Sequence, residues 1–490
     1  MPSTRIAWLR IVAAASAVGF AVGGCRNAPI GAPPRTTQTQ TPVAAPPPQT
    51  ASVAVSQSAP LQAPASEPAT SAVIVAPLPA RDPVVSAPVA QSAPAAPPKP
   101  PAPVAPVAPV ALPFESAVLR AAGILLAESD KELSKTNSKL PRLLVIDPLI
   151  DASTGQQTVG TQKMGAQIAS LVKVQYPEIF DVQPFTGAIL ERSPLLLMGT
   201  LTAMNKDNNR NERADVFRIW LTMVDLGNGR VIAKALGRAT EETVDSTPTP
   251  MYRDSPTWPK DSTVEAYINS CQDDSKPGDP VHPTYLRSIG TAAIINEATV
   301  AYESGRMDDA FKFYSRAAAS VEGAGQLRVL NGLYLSAWNL GKQKDAADAF
   351  GRIVNLGLTT KKLGVKFLFQ PSSTEFVRDP RLSSQYAIWI GQIAAQSAPK
   401  NVCLRVVGHT SRTGSVAVND ALSLRRAETI QRRLELMAGG SLKNRMIPDG
   451  VGFRETLIGT GTDDLRDALD RRVEFNVIDC PSTGQSGRSG

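Results

Sequence analysis

Between Arg26 and Leu112 the chain holds 22 of its 41 prolines, set among alanine, valine, serine and glutamine with few charges. Proline has no amide hydrogen and its ring fixes φ, so neither a helix interior nor a central strand can run through such a stretch. Too few large apolar side chains are present to offset the entropy of ordering it, and the composition predicts a disordered linker. Whatever core this chain builds must therefore come from the roughly 375 residues that follow. A polyproline-like spacer rises about 3.1 Å per residue, which gives this one a reach on the order of 250 Å when extended and much less when coiled. A spacer explains the composition by itself; a tail read by partners with proline-binding grooves is the other reading.

The linker is preceded by a short segment with the three parts of a secretory signal. Arg5 and Arg10 supply positive charge, Ile11 to Phe20 is an alanine-rich apolar run, and Val22-Gly23-Gly24 places small residues at a processing site. The apolar run is too short to span a bilayer. Cys25 directly after the small residues resembles the box of bacterial lipoproteins. That resemblance implies a signal peptide over 1–24, acylation of Cys25 and a stable lipid anchor. Arg26 stands where an aspartate would suggest inner-membrane retention, so the resemblance implies the periplasmic face of the outer membrane. An ordinary signal peptide followed by a chance cysteine is the alternative. Later apolar runs, such as Leu195–Met198 and Val365–Phe369, are only strand-sized.

Length alone suggests two or three folded units after the linker (25–112), in a multidomain α+β chain. The first, 113–260, reads as a mixed-sheet α/β domain. A helix is expected over Ser116–Ser129, a buried strand at Leu143–Ile146, and a helix over Met164–Val174 with Ile168, Leu171 and Val172 on one face. Strands follow at Phe180–Val182 and Leu195–Leu201, and Gly227-Asn228-Gly229 joins Val216–Val224 to Val231–Leu236 as a hairpin. The order loosely resembles periplasmic α/β domains of the CsgG, LpoB and TolB amino-terminal type, which implies assembly and partner contact in the envelope. Asp147 and Asp151 raise a metal reading; solvated turn residues are the plainer one. Residues 261–283 read as an irregular connection.

Residues 284–360 read as a short helical repeat domain. Gly305 with Ala310 recurs 36 residues later as Gly341 with Ala346. The flanking runs resemble the turn and second helix of tetratricopeptide repeats, with Phe311, Tyr314, Ala347 and Phe350 expected to fill the interface. Two such units serve equally as a rigid spacer or as a peptide-binding groove.

The last unit, 361–481 before a disordered tail at 482–490, carries the most specific pattern. Gly408-His409-Thr410-Ser411-Arg412 precedes Asn419, Leu422-Ser423 and Arg425-Arg426-Ala427, and the pattern closes on Asp470-Arg471-Arg472-Val473-Glu474. It resembles the carboxy-terminal, peptidoglycan-binding domain of the OmpA family. The resemblance implies a βαβαββ fold, with strands in "VKFLFQPSSTEF", "NVCLRVVGHTS" and "DRRVEFNVID" and an amphipathic helix over Asn419–Leu436. It also implies recognition of the diaminopimelate of wall peptide stems, whose carboxylate suits the planar fork of an arginine. That residue is Arg426 by the "LSxxRA" pattern; Asn419 organises the pocket, and Arg472 contributes to it or supports it. Arg425 and Arg471 read as exposed solubilising groups. Ser411, fifteen residues before Arg426, replaces the aspartate that normally pairs with the ligand ammonium. Losing that charge weakens binding by about 1–3 kcal/mol, unless Asp420 compensates.

Cys403 at the start of one expected strand and Cys480 at the end of another meet if the strands are antiparallel neighbours, and an exported chain can oxidise them. Cys271 falls in a polar loop, alone or linked to another chain. With only His282 and His409 in the chain, no zinc-amidase or serine–histidine constellation is visible, so neither catalysis nor a metal or other cofactor is expected. The +7 charge is spread over 51 basic and 44 acidic residues, which argues against nucleic acid and suits an anionic wall or membrane surface. Two functions remain. One is a tether from outer-membrane lipid to peptidoglycan. The other is a scaffold whose residues 114–360 hold envelope protein partners while the last domain binds the wall weakly or not at all.

Overall fold

The computed structural model describes residues 110–136, 139–205, 215–272, 275–400, 402–457, 461 and 466–480. The expected signal peptide, Cys25, the proline-rich stretch through residue 109 and the 482–490 tail lie outside them.

The first layer comprises α1 (Phe114–Leu133), β1 (Arg142–Ile146), β2 (Ile150–Asp151), α2 (Val159–Gln175), β3 (Phe180–Gln183), α3 (Gly187–Leu190), β4 (Leu195–Met204), β5 (Val216–Asp225) and β6 (Arg230–Thr240). The strands form one mixed sheet in the order β3-β1-β4-β5-β6, with β2 beside β4. β1 runs parallel to β3 and β4, whereas β4, β5 and β6 form an antiparallel meander. Every residue of β4 is buried, as a continuous apolar strand requires when both faces of its sheet are covered. On one face Val118, Ala121 and Leu125 of α1 and Met164, Ile168 and Val172 of α2 pack against Leu144, Leu197 and Ile219.

The opposite face is covered by elements from beyond the expected domain boundary. α4 (Pro250–Asp254) is followed by α5 (Ser262–Cys271) and α6 (Pro283–Glu303). Val264, Tyr267 and Ile268 of α5 join Tyr285 and Ala292 of α6 against Val145, Leu196 and Met198. The expected irregular connection over 261–283 is thus corrected. Asp261 accepts hydrogen bonds from the Thr263 and Val264 amides, both at 3.0 Å, and so caps a helix whose apolar stripe the sheet needs. Cys271 ends that helix fully buried, where burial pushes its thiol far up. It is neither in a polar loop nor open to another chain.

α6 also starts two helical hairpins, completed by α7 (Met307–Ala318), α8 (Leu327–Asn339) and α9 (Gln343–Thr359). The hairpins turn at Gly305 and Gly341 with φ of 75° and 71°, a left-handed conformation that side chains resist. α8 crosses α7 at Gly332, where an added Cβ would lie 2.1 Å from the Tyr314 ring. Tyr314 and Phe350 are buried as expected, whereas Phe311 and Ala347 are half-buried.

The last layer runs β7 (Lys362–Val365), α10 (Pro380–Ser383), α11 (Tyr386–Ser397), β8 (Cys403–Gly408), α12 (Val416–Met437), β9 (Met446–Gly450) and β10 (Val473–Ile478). This is the expected βαβαββ order, with the sheet ordered β7-β10-β8-β9. The first strand, expected to open "VKFLFQPSSTEF", lies three residues earlier and shares only Val365 with that run. A boundary at 360 does not divide the core: Tyr334 and Phe350 of the hairpins share one cluster with Phe367, Trp389 and Phe475. Phe350 stacks on Trp389 with ring centroids 5.7 Å apart, and the Trp389 indole donates to the Tyr334 hydroxyl at 2.7 Å. Among the described residues no helix is long and apolar enough to cross a membrane.

Cys403 and Cys480 form a disulfide with Cα atoms 5.0 Å apart, 77 residues apart in sequence. It lies beside the Ile478–Cys403 pair of the antiparallel β8–β10 ladder. Closing a loop of that length restricts the unfolded chain, so replacing both cysteines with serine should cost about 2–4 kcal/mol of stability. Denaturant titration of the two proteins measures this, and equal midpoints would contradict it.

Candidate functional site

The sheet of the last layer lies directly on the backbone of α12 at one end. A Cβ at Gly408 would fall 1.9 Å from the Ser423 carbonyl oxygen, and one at Gly450 would fall 2.5 Å from the Leu424 nitrogen. Only glycine permits this approach. Beyond these glycines β8 and β9 open into loops 409–415 and 451–457, beside the turn at 370–376.

Arg426 reaches into this junction from α12. Its Nε donates to the Ser373 carbonyl at 3.0 Å, Nη1 to the His409 carbonyl at 3.1 Å and Nη2 to the Gln370 carbonyl at 2.9 Å. The Phe369 ring centroid lies 5.1 Å from its guanidinium carbon. Asn419 organises the neighbouring loop, with Nδ2 donating to the Thr413 and Ser415 carbonyls at 2.8 and 3.1 Å. The Ser411 hydroxyl lies 3.4 Å from that of Thr413. Arg472 donates through Nε to Glu474 at 2.6 Å and through Nη2 to the Glu455 carbonyl at 3.1 Å.

All four predicted site residues are enclosed: relative exposure is 0% for Arg426, 4% for Asn419, 3% for Ser411 and 2% for Arg472. The two arginines do not share one pocket. Val473 and Phe475 of β10 belong to the core formed with α11 and α12, so Arg472 and Glu474, alternating with them, lie on the sheet's other face. His409 links the two arginines: its amide donates to the Arg472 carbonyl at 2.9 Å while its carbonyl accepts from Arg426. Because Nε, Nη1 and Nη2 each donate to a backbone carbonyl and the side chain is fully buried, Arg426 reaches a ligand carboxylate only by exchanging partners.

Further readings need correction. Asp420 does not face the loops as a spare carboxylate: it pairs with Arg454 through two 2.6 Å bonds. Arg425 is exposed as expected, but Arg471 is buried and donates to the Phe369 carbonyl, because it closes the same turn that Arg426 holds. Asp147 and Asp151 are buried, not solvated. The Tyr285 hydroxyl donates to Asp147, whose carboxyl burial raises to about 6 against the pull of Arg328. Asp151 accepts from the Thr154 hydroxyl and amide, both at 2.8 Å. Among the described residues no group of three or more His, Cys, Asp or Glu side chains could hold a metal ion.

His409 is a neutral imidazole at physiological pH, held down to about 3 by burial and then by Arg472. Burial alone would raise Glu474, but the Arg472 guanidinium, by its charge and its hydrogen bond, outweighs that and keeps the carboxyl below the ordinary range. Four contributors escape a motif-based reading. Gln370 and Ser373 act through their carbonyls, to which side-chain patterns are blind. Arg412, adjacent to Ser411, is half-buried over the Phe453 ring at 5.8 Å; its charge beside the missing aspartate was the available signal. Trp258 lies over a hundred residues upstream, yet its ring centroid is 5.5 Å from the Arg472 guanidinium carbon. Toward solvent the junction presents Thr413, Gly414 and Ser415. Buried arginines thus hold three loops in register around this rim.

The OmpA family matches residues 368–468, so the last layer is an OmpA-family domain covering about a fifth of the chain. Among solved structures the chain is similar to the peptidoglycan-associated lipoprotein from Burkholderia pseudomallei, at 24% identity over 23% of this chain and 88% of that one, with TM-score 0.20. It is similar to the C-terminal domain of Helicobacter pylori MotB, at 22% identity over 23% and 83%, with TM-score 0.19. The cell wall anchor of the T6SS from Pseudomonas aeruginosa is similar at 17% identity over 27% and 97%, with TM-score 0.21. No curated protein matches the chain.

Proposed function

We propose that this chain is a non-catalytic envelope protein that holds peptidoglycan through its C-terminal domain, anchored to outer-membrane lipid through Cys25. The observation that carries the reading is the OmpA-family match over 368–468, which contains the rim, Asn419, Ser411 and Arg426. The diaminopimelate of a wall stem supplies the ligand. Its carboxylate is drawn to the Arg426–Arg412 side of the junction, and its ammonium meets the Ser411 and Thr413 oxygens. The two helical hairpins, with their tetratricopeptide-like turns, act in this reading as a rigid spacer.

A second reading is favoured by two specific features. Ser411 brings no charge to the ammonium, and Arg426 is already engaged by three carbonyls. In that reading the domain positions a scaffold whose residues 114–360 hold envelope proteins, and wall affinity is slight.

Cosedimentation of the full mature chain with purified sacculi separates the two. Wild type should bind weakly, and Ser411→Asp should strengthen binding about tenfold or more, since a restored charged partner contributes about 1–3 kcal/mol. Absence of binding by both proteins, with the fold intact by circular dichroism, would refute the tether and favour the scaffold.

A further inference from the structure

The segment between β6 and α5 does more than connect them. Met251, Tyr252, Ser255, Thr257 and Trp258 are all buried, although residues 255–261 have no regular structure. Buried irregular backbone needs partners for its polar groups, and here they come from two directions.

The helical hairpins supply the first set. The Thr257 hydroxyl donates to Asn331 Oδ1 at 2.9 Å, and Asn331 Nδ2 donates back to the Thr257 carbonyl at 3.1 Å. Asp261 accepts the Leu327 amide at the start of α8 at 2.7 Å. The C-terminal domain supplies the second. Thr257 pairs antiparallel with Val365, on the open edge of β7, and the Lys366 amide donates to the Pro256 carbonyl at 2.8 Å. Buried Lys366 also donates through Nζ to the Tyr252 carbonyl at 2.6 Å.

Trp258 then turns onto the face of the sheet that carries no helix. Gly364 is opposite Glu474 in the β7–β10 ladder, and a Cβ there would lie 3.0 Å from the indole. Glycine at 364 is what lets the ring reach the Arg472 guanidinium, which in turn holds the Glu455 carbonyl in the 451–457 rim loop.

We infer that residues 250–261 are an intramolecular strap, and that Trp258 is a positioning residue for the proposed wall site, acting through Arg472 on the 453–457 loop. The strap makes the site depend on a part of the chain outside the OmpA-family match. It also occupies the Asn331 side chain of α8 with two hydrogen bonds to Thr257. The affinity arm below rests on the wall-binding reading; the structural arms do not.

The test uses the full mature chain as wild type, Trp258→Ala and Trp258→Phe, with thermal melts establishing that each is folded. Trp258→Ala should remove the ring-current shift of the Arg472 Nε–H resonance and raise hydrogen exchange of the 453–457 amides about tenfold or more. Trp258→Phe, which keeps an aromatic ring, should restore both in part. Sacculus affinity should fall about threefold to tenfold for Trp258→Ala, with partial recovery in Trp258→Phe. An unchanged Arg472 resonance with unchanged exchange would overturn the proposal. If wild type fails to bind sacculi, the wall reading falls, and the resonance and exchange data still decide the strap.

Discussion

Arg426→Ala is expected to destabilise the C-terminal domain by on the order of 5 kcal/mol. The substitution removes the Arg426 donor from the Ser373 and His409 carbonyls and leaves the Gln370 carbonyl only the Ser373 amide at 3.3 Å, and a buried orphan costs about 1–3 kcal/mol. It also removes the cation facing Phe369 and opens a cavity at one of the largest fully buried side chains of the molecule. Urea titration followed by circular dichroism measures the loss, and Arg426→Lys should fall between the two because it keeps a charge and a donor. A loss below about 1 kcal/mol would mean that water replaces the guanidinium at all three carbonyls. The consequence for binding work is direct: failure of Arg426→Ala to hold sacculi is evidence of ligand contact only in protein shown to be folded.

Trp389→Ala is the second large effect, expected to cost about 3–5 kcal/mol as a buried aromatic truncation. Trp389 touches Phe350, Tyr334, Tyr386 and Phe367, so it joins the hairpins to the C-terminal domain. The shared core predicts that the amides of α8 and β10 lose exchange protection together, in one transition at a lower midpoint. Two separated transitions, with the hairpins unaffected, would show that the layers unfold independently.

Much of the architecture was legible because it rests on periodicity and turn chemistry. The apolar run at Leu195–Leu201 reads as a strand, which extends to Met204, and Gly227-Asn228-Gly229 reads as a hairpin. The C-terminal motifs placed β8, α12 and β10 to within a few residues. The misses share a physical cause. Periodicity shows that a face is apolar, but not what covers it. The α5 helix was taken for a connection because its stripe is short and its partner, the sheet's second face, lies well upstream. The candidate site was legible as a set of residues but not as an arrangement. Motifs place Arg426 and Arg472 in the same domain. They cannot reveal that backbone carbonyls engage one, or that β10 turns the other toward Trp258.

The strap at 250–261 has a consequence for the order in which the molecule can be completed. Its partners Asn331, Val365, Lys366 and Arg472 all lie later in the chain, so a protein emerging amino end first leaves Trp258 without its partners Gly364 and Arg472 until residue 472 has been made. Long-range closure of this kind is slow, and exposed apolar segments invite aggregation while it waits. Chains halted before residue 472 would therefore be the species most in need of a holding chaperone, although the first sheet could already be formed in them. Arg472, just ahead of β10, is the last partner of a segment made more than two hundred residues earlier.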